Sequence, residues 1–212
     1  MSEYFPFFCS LNGQDVLIIG GNDKALEKIR IFLPFKAKIT VIADKTAEIP
    51  MYGPISVIPA KTTDIAHLIL QMRPKAVILA DETLADANVL YDLCVKNRIE
   101  LNTADRPEWC TFIFPSMICR DKLTVAVSTG GASPAAAVRI RKDVEERLPS
   151  EIDAILDWLE ALRPAIKSRS DLDKPTIRTV YHELVRTAFE QNRPLDAEET
   201  ECTIQNLQQK SR

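Results

Sequence analysis

Apolar and polar positions follow two periods over the first hundred residues. A short, β-rich apolar run at 15–19 precedes the segment 24–33, in which Ala25, Ile29 and Leu33 share one helical face. The same succession recurs along the chain, with strand-like runs at 38–43, 55–59, 76–80 and 100–102 and helix-like segments at 64–72 and 84–96. Strands that alternate with helices predict a doubly wound parallel sheet of the Rossmann type.

The pattern changes after the fifth predicted strand. Runs 111–119 and 123–128 are β-rich and are separated by a turn at 120–122, so they predict a pair of strands without an intervening helix. Ser133 and Pro134 then supply an N-cap and a proline at the first helical position, which predicts a helix from there to about residue 148.

From residue 149 onward the pattern is helical throughout. Three helices are predicted at 152–162, 177–189 and 197–208, separated by linkers that contain proline. The predicted fold class is therefore α/β: a Rossmann-type parallel sheet, a small strand-rich region and an all-helical C-terminal region.

Composition narrows the class of protein. The chain has 212 residues, 46% of them hydrophobic, and a formal net charge of −3, which argues against a nucleic-acid partner or a polybasic membrane surface. It has no run of 18 apolar residues, and its first residues lack a basic region followed by a small-residue cleavage site, so we expect a cytoplasmic protein with no membrane partner.

The five cysteines are scattered and include no CxxC pair, so they indicate neither a disulfide framework nor a zinc site. We expect reduced thiols that are mostly buried. The sequence nominates no metal-ligating residues.

Glycine is scarce, and its placement marks two candidate sites. Four of the six glycines form the pairs Gly20-Gly21 and Gly130-Gly131, each between a strand-like run and a helix-like segment. Glycine is needed where φ is positive or where a ligand approaches the backbone closely. Both pairs are therefore candidates for ligand-binding turns.

The first pair lies in a sequence close to the dinucleotide fingerprint G-x-G-x-x-A. Gly20 and Ala25 occupy its first and third positions, and Asn22 stands at the second, where its side chain is expected to project toward the pyrophosphate. Asp44 follows Gly20 by 24 residues, near the spacing of a ribose-binding acid. An acid there favours NAD over NADP, and the neighbouring Lys45 weakens that preference.

Two segments carry a resemblance to a known family. FPFFCSLNGQDVLIIGG, then NTADRPEWCTFIFPSMICRDKLTVAVSTGGASP and the arginine-bearing helix after it, resemble the precorrin-2 dehydrogenases, the dehydrogenase and ferrochelatase module of sirohaem synthases. The resemblance covers roughly residues 4–165. It implies a homodimer that oxidises precorrin-2, a tetrapyrrole, to sirohydrochlorin with NAD, and some members also insert ferrous iron. It also implies three regions: a Rossmann dinucleotide-binding domain at 1–110, a dimerisation region at 111–148 and a helical domain at 149–212.

The resemblance also implies the site residues. Asp105 matches the family's catalytic aspartate, which would accept a proton as the tetrapyrrole loses a hydride. The implied cofactor-binding residues are Gly20, Gly21, Asn22, Asp23, Lys24, Asp44, Lys45, Ala80 and Asp81. The implied substrate-binding residues are Ser128, Thr129, Gly130, Gly131, Ser133 and Arg141.

The sequence leaves other interpretations open. Asn22 and Asp81 both depart from the family pattern on the cofactor side, so a chelatase-only member and a non-catalytic tetrapyrrole- or nucleotide-binding dimer with a weakened NAD site remain alternatives. Taken alone, Asp105 is also typical of a turn, the Gly130-Gly131 pair of a tight connection, and Arg141 of a solvated basic face.

Overall fold

The computed structural model describes residues 4–44, 49 and 53–210. The chain divides into two compact units, Met1–Phe114 and Pro115–Arg212. Among the described residues no helix is both long and apolar enough to cross a bilayer. The predicted division into three regions stays a prediction.

The first unit is built on a five-stranded parallel sheet. Its strands are β1 (Asp15–Ile19), β2 (Lys38–Ile42), β3 (Ile55–Ile58), β4 (Ala76–Leu79) and β5 (Glu100–Thr103), in the order β3-β2-β1-β4-β5. Ile19 pairs with both Ile42 and Leu79, so the carboxyl ends of the three central strands are level. The chain turns in opposite directions from β1 and β4, and a parallel sheet forms a ligand-binding crevice at such a switch point.

Helices cover both faces of this sheet, as the alternation of strands and helices predicts. Helix α1 (Asp23–Phe32) packs with Val16 and Ile18 on one face, while α2 (Ile65–Met72) and α3 (Ala87–Asn97) pack with Leu17 and Ile19 on the other. Because both faces are buried, β1 reads as a continuous apolar run rather than an alternating one.

Helix α3 begins three residues later than its apolar pattern suggests. Asp86 caps it, its carboxylate accepting the backbone N–H groups of Asn88 (2.9 Å) and Val89 (3.2 Å). A side-chain cap satisfies N–H groups that have no partner within the helix, so the helix starts where the cap stands.

The second unit contains a hairpin and four helices. Strands β6 (Ser116–Arg120) and β7 (Leu123–Val127) pair antiparallel, and α4 (Pro134–Glu145) packs against both. Helices α5 (Ile152–Lys167), α6 (Lys174–Gln191) and α7 (Ala197–Lys210) follow. Their common core includes the fully buried side chains of Ile155, Val180, Leu184 and Ala188.

Three details of the sequence prediction are wrong. The strand expected at 111–119 starts only at Ser116, because Thr111 pairs with Leu101 of β5 through both its backbone N–H and its hydroxyl. Pro164 lies inside α5, in the last turn, instead of in a linker. Of the cysteines, only Cys94 is buried among the described residues; three are exposed and Cys110 is intermediate.

Candidate active site

The turn after β1 requires glycine at position 20. The N–H of Gly20 donates to the carbonyl of Ile42 (2.9 Å), and its φ of +131° lies in the region that only glycine adopts readily. A Cβ added there would stand 3.0 Å from Cβ of Asp81 and 3.1 Å from the Asp81 backbone nitrogen. The ends of β1 and β4 are therefore in close contact at the switch point.

The side chain of Asn22 is held by the protein. Its Oδ1 accepts the backbone N–H of Ala25 (3.1 Å), which makes it the N-cap of α1, and its Nδ2 donates to the carbonyl of Ala80 (3.0 Å). The side chain therefore ties the helix to the end of β4 rather than projecting freely over the turn. This is a structural role for a residue that departs from the fingerprint.

Four backbone N–H groups remain available at the start of α1. Within the described part of the chain, the backbone N–H groups of Gly21, Asn22, Asp23 and Lys24 donate no hydrogen bond. Free N–H groups at a helix N-terminus bind phosphate, because the helix dipole adds positive potential there. These residues consequently fit the pyrophosphate of a dinucleotide.

Two acids border the same crevice. Asp23 occupies the first turn of α1, and the Oδ1 of Asp81 accepts the backbone N–H (3.0 Å) and hydroxyl (2.7 Å) of Thr83. The Asp81 carboxylate is thus engaged in its own turn, yet its negative charge stays at the end of β4. This charge opposes a pyrophosphate, whereas the free N–H groups favour one.

Asp44 lies just beyond the carboxyl end of β2. Its Oδ1 accepts the backbone N–H of Lys61 (3.1 Å), and its Oδ2 lies 3.8 Å from Nζ of the same lysine. A ribose hydroxyl would share this carboxylate with the turn that follows β3. Lys45, the other residue predicted at this end, lies outside the described residues.

Asp105 lies in the loop that follows β5, with a left-handed φ of +63°. Its carboxylate is paired with the ammonium group of Lys24 in the first turn of α1, 81 residues earlier. The hydrogen bond from Lys24, then the charges of Lys24 and Lys28, lower the pKa of Asp105, and the same bond raises the pKa of Lys24. Asp105 is therefore a carboxylate at neutral pH, with its side chain 77% exposed.

A cleft of about 350 Å³ opens beside this ion pair. At one wall, Nζ of Lys28 lies 4.5 Å from the centroid of the Phe114 ring. Nε of Arg106 lies 3.4 Å from Oε1 of Glu82. The residues around it come from α1, the end of β5 and the following loop: Lys24, Glu27, Lys28, Asn102, Thr103, Ala104, Asp105, Arg106, Pro107, Cys110, Ile113 and Phe114.

Several residues of this cleft were missed by sequence reasoning, chiefly Lys28, Arg106 and Cys110. Two of them carried a usable signal. Lys28 follows Lys24 by four residues, so both lie on the same side of α1. Arg106 adjoins the candidate acid directly. Cys110 had no signal in the sequence, because its thiol reaches the cleft through bonds to Thr103 that depend on the fold.

The Gly130-Gly131 loop in the second unit holds its own shape. Both glycines have left-handed φ values, 62° and 86°. The Thr129 hydroxyl donates to the carbonyl of Ser133 (3.0 Å) and accepts its N–H (3.1 Å), while the Ser128 hydroxyl accepts the N–H of Gly130 (3.1 Å). The loop is thus a rigid connection that leads directly into α4.

Ser133 and Arg141 complete the set predicted in this unit. Ser133 caps α4 by accepting the N–H of Ala136 (3.1 Å), as the Ser-Pro pair predicts. Arg141, two turns further on, is paired with Glu145 of the same helix. The structure therefore brings the loop residues together at one helix start and leaves Arg141 in an ion pair of its own.

Comparisons with known proteins agree with this architecture. A sequence model of the family described as "Putative NAD(P)-binding" matches residues 7–116, and one described as "Sirohaem biosynthesis protein central" matches residues 120–147. The first covers more than half of the chain, so the protein belongs to this NAD(P)-binding family. Together the two matches confirm the resemblance to the precorrin-2 dehydrogenase module of sirohaem synthases.

Curated relatives and a solved structure extend the comparison. Siroheme synthase 3 of Aeromonas hydrophila subsp. hydrophila is 32% identical over 172 residues, which cover 79% of this chain and 36% of the relative. Siroheme synthase of Tolumonas auensis is 34% identical over 169 residues, 79% of this chain and 35% of the relative. This chain therefore matches little more than a third of either relative. The structure of "SirC, precorrin-2 dehydrogenase" has a TM-score of 0.71 at 23% identity, covering 97% of this chain and 100% of that one, and shares its fold.

Proposed function

We propose that the protein oxidises precorrin-2 to sirohydrochlorin with NAD, with Asp105 as the proton acceptor. The observation that carries this proposal is the pairing of Asp105 with Lys24. It sets the candidate base against the first turn of the helix whose free N–H groups suit a dinucleotide. The family membership and the siroheme synthase relatives support the substrate class.

The cofactor site would be formed by the turn after β1 and its neighbours. The N–H groups of Gly21, Asn22, Asp23 and Lys24 would bind the pyrophosphate, and Gly20 lets the ends of β1 and β4 approach. Asp44 would accept a ribose hydroxyl. When bound, NAD supplies a hydride acceptor.

Asp105 would perform the proton transfer. The oxidation removes two hydrogens from the tetrapyrrole, one as a hydride to the nicotinamide and one as a proton. The proton needs an acceptor within reach, and the Asp105 carboxylate is ionised and exposed at the cleft. The cleft's cationic side chains, Lys28 and Arg106, would attract the carboxylates of the substrate.

The second unit would contribute substrate contacts and the subunit interface. Ser128, Thr129, Gly130, Gly131, Ser133 and Arg141 remain the proposed contacts to the tetrapyrrole. The family resemblance implies a homodimer through this unit, and Val138 and Ile140 of α4, 42% and 46% exposed, are candidate side chains for its interface. The molar mass of the protein, measured by light scattering as it elutes from a size-exclusion column, tests the homodimer. A monomer at micromolar concentration would contradict it.

The function is tested with NAD, precorrin-2 and the purified chain. Calorimetry with NAD should show binding, and precorrin-2 with NAD should then yield sirohydrochlorin absorbance and NADH in equal amounts. No heat at millimolar NAD and no sirohydrochlorin would reject the dehydrogenase. Insertion of ferrous iron into sirohydrochlorin by such a protein would instead support the chelatase-only alternative.

A further inference from the structure

Lys24 belongs to both parts of the candidate site in the first unit. Its backbone N–H is one of the free donors at the start of α1, and its ammonium group is paired with Asp105. We propose that Lys24 couples the two: it holds the Asp105 carboxylate while the dinucleotide crevice is empty and moves to the cofactor's pyrophosphate when the crevice fills. That movement leaves Asp105 free to accept the substrate proton. The proposal rests on the function proposed above.

The geometry permits this movement. Lys24 has a flexible stem, its side chain is 50% exposed, and Asp105 is more exposed still, so packing does not lock the pair. Lys24 is the second residue of α1, and a pyrophosphate at that helix start would lie against its own backbone N–H. A pyrophosphate also carries more negative charge than one carboxylate, so it competes effectively for the ammonium group.

Other charges around Asp105 do not replace Lys24. Arg106 of the same loop is turned toward Glu82 (3.4 Å) and Glu108 (3.7 Å). Lys28 lies over Phe114 and is paired with Glu27 (3.1 Å), and it lowers the pKa of Asp105 less than Lys24 does. Burial raises the pKa of the Cys110 thiol, which lines the same cleft, and keeps it neutral.

Release of Asp105 would change its strength as a base. While it is paired, the pKa of Asp105 is lowered, and a carboxylate with a lowered pKa accepts a proton less readily. Departure of the ammonium group removes the largest cause of that lowering. The base would thus strengthen when the hydride acceptor is in place, so that the proton and the hydride leave the same bound substrate.

The proposal is tested by the titration of Asp105 in the full chain. Aspartate is labelled with ¹³C at its carboxyl group, and the Asp105 signal is assigned by its absence from an Asp105→Asn variant. The pH midpoint of the Asp105 titration is then measured under three conditions. These are buffer alone, adenosine, and ADP-ribose, which has the pyrophosphate but no nicotinamide. ADP-ribose should move the midpoint to higher pH, and adenosine should not. Binding of ADP-ribose, seen at the Gly20 and Gly21 amides, with no change at Asp105 would overturn the coupling.

Two variants separate coupling from a general change in the cleft. In Lys24→Met the Asp105 midpoint should already be high and should not respond to ADP-ribose. Lys28→Met, which keeps an apolar stem over Phe114, should retain the response. Lys24→Arg keeps the positive charge and should therefore keep the shift of the Asp105 midpoint on addition of ADP-ribose. A Lys24→Met protein whose Asp105 still responds to ADP-ribose would overturn the proposal.

Kinetics supply a second readout. Loss of a charge-assisted bond to the pyrophosphate should raise the KM for NAD about tenfold in Lys24→Met. In the pH profile of Lys24→Met, the acidic limb of kcat/KM for NAD, which reports the free enzyme, should lie at higher pH than in the wild type. The acidic limb of kcat should not move. Equal movement of both limbs would contradict the coupling.

Failure of the coupling and failure of the function give different results. Normal turnover with an unresponsive Asp105 would overturn the coupling alone. A responsive Asp105 in a protein that forms no sirohydrochlorin would overturn the function alone. A protein that binds neither ADP-ribose nor NAD and forms no sirohydrochlorin would overturn both.

Discussion

Replacement of Gly20 by alanine tests whether the contact between β1 and β4 is rigid. Gly20 has a φ of +131°, and the added Cβ would lie 3.0 Å from Cβ of Asp81, 3.1 Å from its backbone nitrogen and 3.3 Å from Cβ of Ala80. None of these three atoms is the end of a flexible side chain, and the Asp81 nitrogen itself donates to the Ile19 carbonyl (3.1 Å). The alanine can therefore be accommodated only if the end of β4 moves.

The magnitude follows from two contributions. A side chain at this φ costs on the order of 1–3 kcal/mol. Moving the Asp81 backbone weakens its bond to Ile19, which contributes about 1 kcal/mol more. We expect Gly20→Ala to lower the free energy of unfolding of the first unit by about 3 kcal/mol.

The matched control is Gly13→Ala. Gly13 also has a positive φ, +71°, but no atom lies within 4 Å of its added Cβ. It should carry only the left-handed penalty, about 1 kcal/mol. The difference of about 2 kcal/mol between the two variants combines the less favourable backbone conformation at Gly20 with the crowding at Asp81.

The assay follows the first unit by itself. The chain has two tryptophans, and Trp109, packed edge-on against Tyr91 at 5.4 Å, reports on the first unit once Trp158 is replaced by phenylalanine. Urea titration of each variant in this background gives its free energy of unfolding. Equal destabilisation by Gly20→Ala and Gly13→Ala would refute the claim that the switch point is rigidly packed.

Three further predictions concern catalysis, packing and pH. Asp105→Asn, which keeps a residue that tolerates left-handed φ, should lower kcat for precorrin-2 oxidation by about 10²–10⁴-fold, measured by sirohydrochlorin absorbance. Leu184→Ala, at a fully buried position in α6, should destabilise the second unit by about 2–5 kcal/mol, whereas Phe189→Ala, at a 40% exposed position, should cost far less. Both are measured by the fluorescence of Trp158 after Trp109 is replaced by phenylalanine. The hydrogen bond from Arg193 lowers the pKa of Glu199 to about 2. The stability that this carboxylate adds is therefore present above its unfolded pKa of 4.5 and is lost as pH falls toward 2. The difference in free energy of unfolding between the wild type and Glu199→Gln, measured by urea titration, should shrink over that pH interval.

Each of these predictions has a contradicting result. Wild-type kcat in Asp105→Asn would remove the assignment of the base. Equal losses in Leu184→Ala and Phe189→Ala would mean that α6 is not packed as described. A pH-independent difference at Glu199 would contradict the ion pair, and Glu198→Gln in the same helical turn provides the control for a general loss of negative charge.

Local pattern was sufficient for most of the fold. The apolar runs of β1, β2 and β4 and the helical spacing of Ala25 and Ile29 predicted a parallel sheet with helices on both faces, because a strand buried on both sides is largely apolar. The Ser133 cap and the positive φ values of Gly20, Gly130 and Gly131 could also be predicted, since caps and positive φ values select few residue types. The strand predicted from Thr111 failed because that residue pairs with Leu101, a partner that local pattern does not reveal.

What only the tertiary structure decided was which side chains meet. The sequence indicated Lys24 as a cofactor residue and Asp105 as a base, but it contains no signal that the two pair, because the contact depends on β4 lying between β1 and β5 and on the left-handed turn at Asp105. Likewise, Asn22 departs from the fingerprint in sequence, yet its amide bonds to Ala80 across the switch point. Periodicity is a property of neighbouring residues, whereas these contacts arise from strand order.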